Sequence, residues 1–149
     1  MIKLSRLADY GMVLMSRIAR DGPAVHNAVD LAAETGLPVP TVSKLLSRFA
    51  HDGLLVSHRG AKGGYELAHD PSKVTVAAVI AAVDGPIALT LCIEGPGTCD
   101  VEALCPTRAG WHRINRALKE ALEQVTLAEI AALSTVPFGA VPRPAQALS

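Results

Sequence analysis

Cys92, Cys99 and Cys105 are the three cysteines of this 149-residue chain, and all fall within residues 92–105. Six residues separate the first two and five the last two. This matches no pair of cysteines two residues apart, the spacing of zinc fingers. Thiolates this close together in a short loop suit soft metals and iron–sulfur clusters. A redox-active thiol pair, an unusual zinc site and three inert thiols are the other readings the spacing leaves open. The loop is rich in Gly and Pro and carries Glu94, Asp100 and Glu102 without Lys or Arg, so it disfavours anions. A cluster of two or four irons normally takes four protein ligands, and the loop offers three thiols. The fourth must come from elsewhere in the chain or from a second subunit. Candidates are Asp9, His112 and the loop carboxylates Glu94, Asp100 and Glu102.

The bulk composition bounds the setting. The length implies one domain, or a small domain with an added element. Half the residues are hydrophobic, yet the aromatics are one Trp, two Tyr and two Phe. Dominance of Ala, Leu and Val favours helices over a β-sandwich. Net charge is zero, so bulk electrostatics makes no case for nucleic acid. Local charge does: residues 43–65 hold Lys44, Arg48, Arg59 and Lys62 against Asp52. No signal-like leader and no run of about 18 apolar residues is present, so the expectation is a cytoplasmic protein with no membrane association. Thiols in that compartment are kept reduced, which favours metal or redox chemistry over a structural disulfide. Hydrolase elbows, P-loops and His-Glu metalloprotease motifs are absent, and the chain does not read as an enzyme.

The elements that must position these residues follow from periodicity. Leu4, Leu7, Ala8, Gly11, Leu14, Met15 and Ile18 predict an amphipathic helix over 5–20. Val29 to Thr35 predicts a short second helix, ended by Gly36. Pro40 or Thr41 opens a third, with a core stripe of Val42, Leu45, Leu46 and Phe49. Two strands, Leu54–His58 and Tyr65–Ala68, flank a glycine-rich hairpin loop. A further helix runs from about Thr75 to Val83, and Asp84-Gly85-Pro86 stops it. Trp111, Ile114, Leu118, Ala121, Val125, Ala128 and Ala132 alternate by three and four. That pattern predicts one continuous helix over 107–133, about 40 Å long, with a dimerisation seam that includes Trp111, Ile114, Leu118 and Val125. The fold class is mainly α with a small β-hairpin: a winged helix-turn-helix plus a long C-terminal dimerisation helix. The expected divisions are residues 1–84 for DNA binding, 85–105 for the cysteine loop, 106–133 for dimerisation and 134–149 as a proline-containing disordered tail.

In a winged helix-turn-helix the third helix enters the major groove and the hairpin lies along the phosphates. Thr41, Ser43, Lys44, Ser47 and Arg48 on the exposed face could then read bases and phosphates. Arg59, Lys62, Gly63, Gly64 and Tyr65 place two cations in a turn stripped of side-chain bulk.

Five motifs in order resemble the Rrf-two family of bacterial winged-helix regulators. They are Leu7-Ala8-Asp9-Tyr10-Gly11, Ser43-Lys44-Leu45-Leu46, Arg59-Gly60-x-x-Gly63-Gly64-Tyr65-x-Leu67-Ala68, Asp84-Gly85-Pro86 and the three spaced cysteines. The resemblance covers about residues 1–133. Residues 85–92 and Trp111-x-x-Ile114-Asn115 look like the branch that regulates Suf-type iron–sulfur assembly. It implies a homodimer on a pseudo-palindromic operator of double-stranded DNA. It also implies a cluster on Cys92, Cys99 and Cys105, with a two-iron (2Fe–2S) form favoured and a four-iron (4Fe–4S) form the alternative. The signal would be iron–sulfur status, oxygen or nitric oxide. Isc-type members place a His three residues after the last cysteine, where this chain has Arg108, which has no lone pair to offer. Nitric-oxide-sensing members use an Asp of the partner's first helix, and Asp9 holds the matching position, ahead of His112. Isc-type members also carry a Glu where this chain has Ser43, so their operator preference does not transfer. A thiol–disulfide switch, or regulation independent of any cluster, is the alternative.

Overall fold

The structure is a computed structural model, and it describes residues 2–134. The expected disordered tail falls almost wholly outside these residues. Helix α1 (Arg6–Arg20) starts where the Ser5 hydroxyl accepts from the Ala8 N–H. Its apolar face, Ala8, Leu14, Met15 and Ile18, is fully buried. Gly11 lies on that face, where an added Cβ would press to 3.0 Å from the Phe49 ring and 3.2 Å from Val83. Helix α2 (Ala28–Thr35) and helix α3 (Val39–His51) make the helix-turn-helix. Val42, Leu45, Leu46 and Phe49 are all solvent-free, so the predicted stripe of α3 is the one that packs. Each such side chain contributes about 1.5–3 kcal/mol of transfer free energy.

Strands β1 (Leu55–His58) and β2 (Gly64–Leu67) pair antiparallel, with Leu55 opposite Leu67 and His58 opposite Gly64. The hairpin carries one strand-like neighbour that sequence reading did not anticipate. His26 bridges Tyr65 through two backbone hydrogen bonds of 2.8 Å. A single bridging residue has no periodicity to betray it. A short 3-10 turn (Pro71–Lys73) leads to α4 (Val76–Asp84), which is capped by the Thr75 hydroxyl and buried along most of its length.

The region 86–105, expected as loop throughout, contains one turn of helix, α5 (Leu91–Glu94), and a 3-10 turn at Glu102–Leu104. The continuous helix over 107–133 is corrected by the structure. Helix α6 (Arg108–Gln124) stops at Val125, and α7 (Leu127–Leu133) starts anew. Thr126 and Glu129 form a reciprocal capping box, satisfying two N–H groups that a new helix exposes. The break is also stitched to the body. The Val76 N–H donates to the Val125 carbonyl, and the Leu127 N–H donates to the Val74 carbonyl. Helix α7 packs on α1, with Leu127 fully buried. Helix α6 alone is about 26 Å long, and only Asn115 of its residues is buried. No helix among the described residues is long and apolar enough to cross a membrane.

Candidate DNA interface and cysteine loop

Ser43, Lys44 and Ser47 are exposed on α3, and Thr41 is half-buried beside them. Arg59 and Lys62 are exposed at the tip of the hairpin. The reading helix and the wing therefore present small hydroxyls and the exposed cations Lys44, Arg48, Arg59 and Lys62 to solvent. Two expected DNA-facing residues also make contacts within the fold. The Arg48 Nη1 donates to the Val83 carbonyl at 2.8 Å, which ties α3 to the end of α4. The Tyr65 side chain packs against the hydrophobic core and anchors the wing. The two glycines of the wing also serve the fold before any ligand. A Cβ on Gly63 would lie 2.5 Å from the His58 carbonyl oxygen, and one on Gly64 would collide with the His26 carbonyl.

The three cysteines are free thiols, and each is half-buried. Cys92 sits in α5, its sulfur 3.2 Å from the Thr90 hydroxyl. Cys105 precedes α6, its sulfur 3.4 Å from the Thr107 hydroxyl. Hydrogen bonds from that hydroxyl and then from the Thr107 N–H hold the Cys105 thiol below its ordinary pKa, aided by the Arg108 N–H and charge. The thiolate is the nucleophile and the metal ligand, so Cys105 is biased toward both roles. In metal-free, reduced protein, its alkylation rate should climb to a plateau at lower pH than that of a free thiol. Thr107→Val should move the midpoint of the iodoacetamide rate profile upward. A midpoint unaffected by Thr107→Val would remove this account.

The loop is held at both ends. Where it leaves α4, Asn115 of α6 binds the backbone: Nδ2 donates to the Ile87 carbonyl at 2.9 Å, and Oδ1 accepts from the Leu89 N–H at 3.0 Å. Before α6, Glu102 accepts from Arg108 at 2.7 Å and from the Gly97 N–H at 2.8 Å. Arg108 thus closes the loop by charge, and Glu102 is committed to it rather than free to ligate. Sequence reading had noted the loop acids without a partner, since Arg108 lies just beyond them.

Of the other ligand candidates, Asp9 is exposed in the first turn of α1, on an open concavity with Lys3, Leu4, Ser5 and Arg6. His112 is exposed on α6, and Glu94 and Asp100 are exposed in the loop. Among the described residues, no three His, Cys, Asp or Glu side chains are gathered closely enough to hold a metal ion. The donor chemistry nevertheless fits a thiophilic group: three unpaired thiols, one biased toward thiolate, in a stretch without Lys or Arg.

On α6, Trp111 is 38% and Ile114 49% exposed, although both are large and apolar. Leu118 and Val125 are half-buried. Leu118 and Leu122 line a cleft of about 370 Å³ with Ile2, Leu4, Ile87 and Leu89.

A helix-turn-helix with a docked hairpin wing and a polar, cationic reading face defines a DNA-binding transcriptional regulator. The chain belongs to the Rrf2 family, described as iron-dependent transcriptional regulators, whose family model matches residues 4–133. It is 32% identical over 134 residues to an HTH-type transcriptional regulator of Mycobacterium tuberculosis, covering 87% of this chain and 81% of the relative. It is 31% identical over 132 residues to the HTH-type regulator IscR of Photobacterium profundum, covering 87% and 75%. Its fold is similar to that of CymR, the global cysteine regulator of B. subtilis, with TM-score 0.69, 30% identity and coverage of 90% and 99%. These relatives are transcriptional regulators and not enzymes.

Proposed function

We propose that this chain is a homodimeric repressor whose affinity for a pseudo-palindromic operator is set by an iron–sulfur cluster, in the branch that controls Suf-type iron–sulfur assembly genes. The observation that carries the reading is the set of three free thiols on a short loop that side chains of α6 fasten at both ends. Cys92, Cys99 and Cys105 would hold the cluster, a two-iron form in preference to a four-iron form. Asp9 of a second subunit, and then His112, are the candidates for a fourth ligand. An oxygen ligand binds iron more weakly than thiolate and would leave one iron easier to lose. When bound, the cluster would supply a redox- and oxygen-sensitive group whose presence reports iron–sulfur supply, oxygen or nitric oxide.

The protein's own residues do the rest. Trp111, Ile114 and Leu118 give α6 an apolar face that a second copy would cover. That pairing would set two reading heads about 34 Å apart, one turn of DNA. Lys44, Arg59 and Lys62 would neutralise phosphates, while Thr41, Ser43 and Ser47 would approach base edges. Arg48, Gly63, Gly64 and Tyr65 would act in recognition by holding α3 and the wing in place.

The test is protein purified without oxygen, assayed for iron, sulfide and visible absorption, with operator binding measured before and after chelation. Matching iron and sulfide in wild type, none in a Cys92/Cys99/Cys105→Ser variant, and an operator affinity that chelation changes only in wild type are expected. Iron-free wild-type protein that resists reconstitution would overturn the cluster. A second reading, a thiol–disulfide switch on the same fold, is favoured by the lowered pKa of Cys105. It predicts a mass loss of two hydrogen atoms when an added oxidant takes the two electrons of disulfide formation, reversed by reductant, together with a change in DNA affinity.

A further inference from the structure

The segment between α4 and the cysteine loop is gripped by side chains from three other helices. At its start, the Arg48 guanidinium of α3 donates to the Val83 carbonyl at 2.8 Å. This is one of the carbonyls that a helix end leaves without an intrahelical partner. Next, the Asp84 carboxylate accepts from the Ser5 hydroxyl, the N-cap of α1, at 2.6 Å. Gly85 then turns the chain at φ +85°, a conformation that side chains with a Cβ rarely adopt, and Pro86 locks its own φ. At the far end, Asn115 takes the Ile87 carbonyl and the Leu89 N–H together. Thr90 follows as the N-cap position of α5, two residues before Cys92.

Residues 83–89 therefore form a short strut with few free torsions. The reading helix hangs on one end, and the first cysteine sits just past the other. Asn115 is the one buried residue of α6, and it is polar. Burying an amide is unfavourable unless both its ends are bonded, and here both are. Its two bonds go to the backbone, as a neighbouring strand's would, so they fix the position of the segment and not of a single side chain.

We propose that Asn115 is a positioning residue that, with Arg48, couples the state of Cys92 to the placement of α3. Displacement at Cys92 pulls on Leu89. Because Asn115 ties Ile87 and Leu89 to α6, residues 83–89 shift with that helix as one body, and the motion reaches Val83 instead of dissipating in a slack loop. Arg48 passes it to the last turn of α3. The coupling deepens the regulatory reading above, but it does not require that the perturbing group be a cluster.

The test uses the full chain with Cys99→Ser and Cys105→Ser, so that Cys92 is the only thiol. Backbone hydrogen exchange is measured before and after modification of Cys92 with N-ethylmaleimide, in this background and with Asn115→Ala added. Modification should change exchange in residues 48–51 by about two- to tenfold when Asn115 is present. With Asn115→Ala, Leu89 should exchange about tenfold faster even unmodified, and the response at 48–51 should vanish. Arg48→Met cuts the other end while leaving α6 packing intact, and it should abolish the same response. It carries the test alone if circular dichroism shows Asn115→Ala unfolded. A response at 48–51 that survives loss of the clamp, or no response in the parent background, would overturn the coupling. Either result leaves the iron and sulfide assay above free to succeed or fail by itself.

Discussion

Gly64→Val is expected to unseat the wing and to lower operator affinity about a hundredfold for each wing that meets DNA, while the helical body stays folded. The argument begins with backbone. The His26–Tyr65 bridge brings two main chains together at Gly64, where a Cβ would collide with the His26 carbonyl and come within 3.1 Å of Val25. Neither backbone atom can step aside without giving up the paired 2.8 Å bonds between His26 and Tyr65. The Tyr65 side chain would lose its seat on the core with them. A hairpin of two four-residue strands is marginal by itself, so without that docking the wing loses its set position. Arg59 and Lys62 then cease to be aligned with phosphates. Two charge-assisted contacts at roughly 1.5 kcal/mol each give the hundredfold. The slope of log affinity against log salt should also fall by about 2 for each wing pair lost. Fluorescence anisotropy across a salt series reads both quantities, and far-UV circular dichroism reports the helices. Wild-type affinity with an unchanged salt slope would show that the wing is not a DNA contact.

What sequence could and could not disclose follows from the range of the interactions. The α3 stripe repeats at 3.6 residues over about two turns, so its four buried side chains were legible directly. The hairpin was legible from two β-rich runs around glycines, though β1 starts one residue later than expected and β2 lies one residue earlier. The cysteines announced themselves by type and spacing. What stayed hidden is non-local. Arg48 meets Val83 across 35 residues, and Asn115 meets Ile87 across 28, and no local pattern encodes either. Arg48 stays exposed on the face expected to meet DNA, and its bond to Val83 is an added role that its type and helix face do not announce. Tyr65 looked like a DNA contact because it sits beside the glycine turn, yet its ring turns inward. The break between α6 and α7 is a different failure. The three-four alternation runs unbroken from Trp111 to Ala132, so periodicity argued for one helix. The contrary signal, Thr126 followed three residues later by Glu129 ahead of an apolar run, was local and present. Hydrophobic period is blind to caps, and here the cap prevailed because Val74 and Val76 supply backbone partners on either side of it.

That break leads to the second large effect. Leu127→Ala should destabilise the protein by about 2–5 kcal/mol, the range for deleting a fully buried leucine and leaving a cavity. In a single long helix carrying a dimer seam, residue 127 would lie off the seam of Val125, Ala128 and Ala132. It would face solvent there, and alanine, the better helix former, would be neutral or slightly stabilising. In the structure Leu127 is the first helical residue after the Thr126 N-cap, enclosed with α1 and Val74 in the core that supports α3. Urea unfolding separates the two arrangements, because the midpoint should fall at nearly constant slope if only packing is lost. The loss is a large share of the 5–15 kcal/mol typical of a whole domain. It should therefore weaken DNA binding near the shifted midpoint and leave it unchanged well below it. An unchanged midpoint would restore the unbroken helix and move the C-terminal segment away from α1. The capping box offers an independent check on the same joint. Hydrogen bonds from the Thr126 N–H and hydroxyl hold the Glu129 carboxyl below its ordinary pKa. The stabilisation from that carboxylate is full above the unfolded-state value and is lost as pH falls through the folded one. Glu129→Gln should accordingly lower the urea midpoint at neutral pH and converge on wild type in acid.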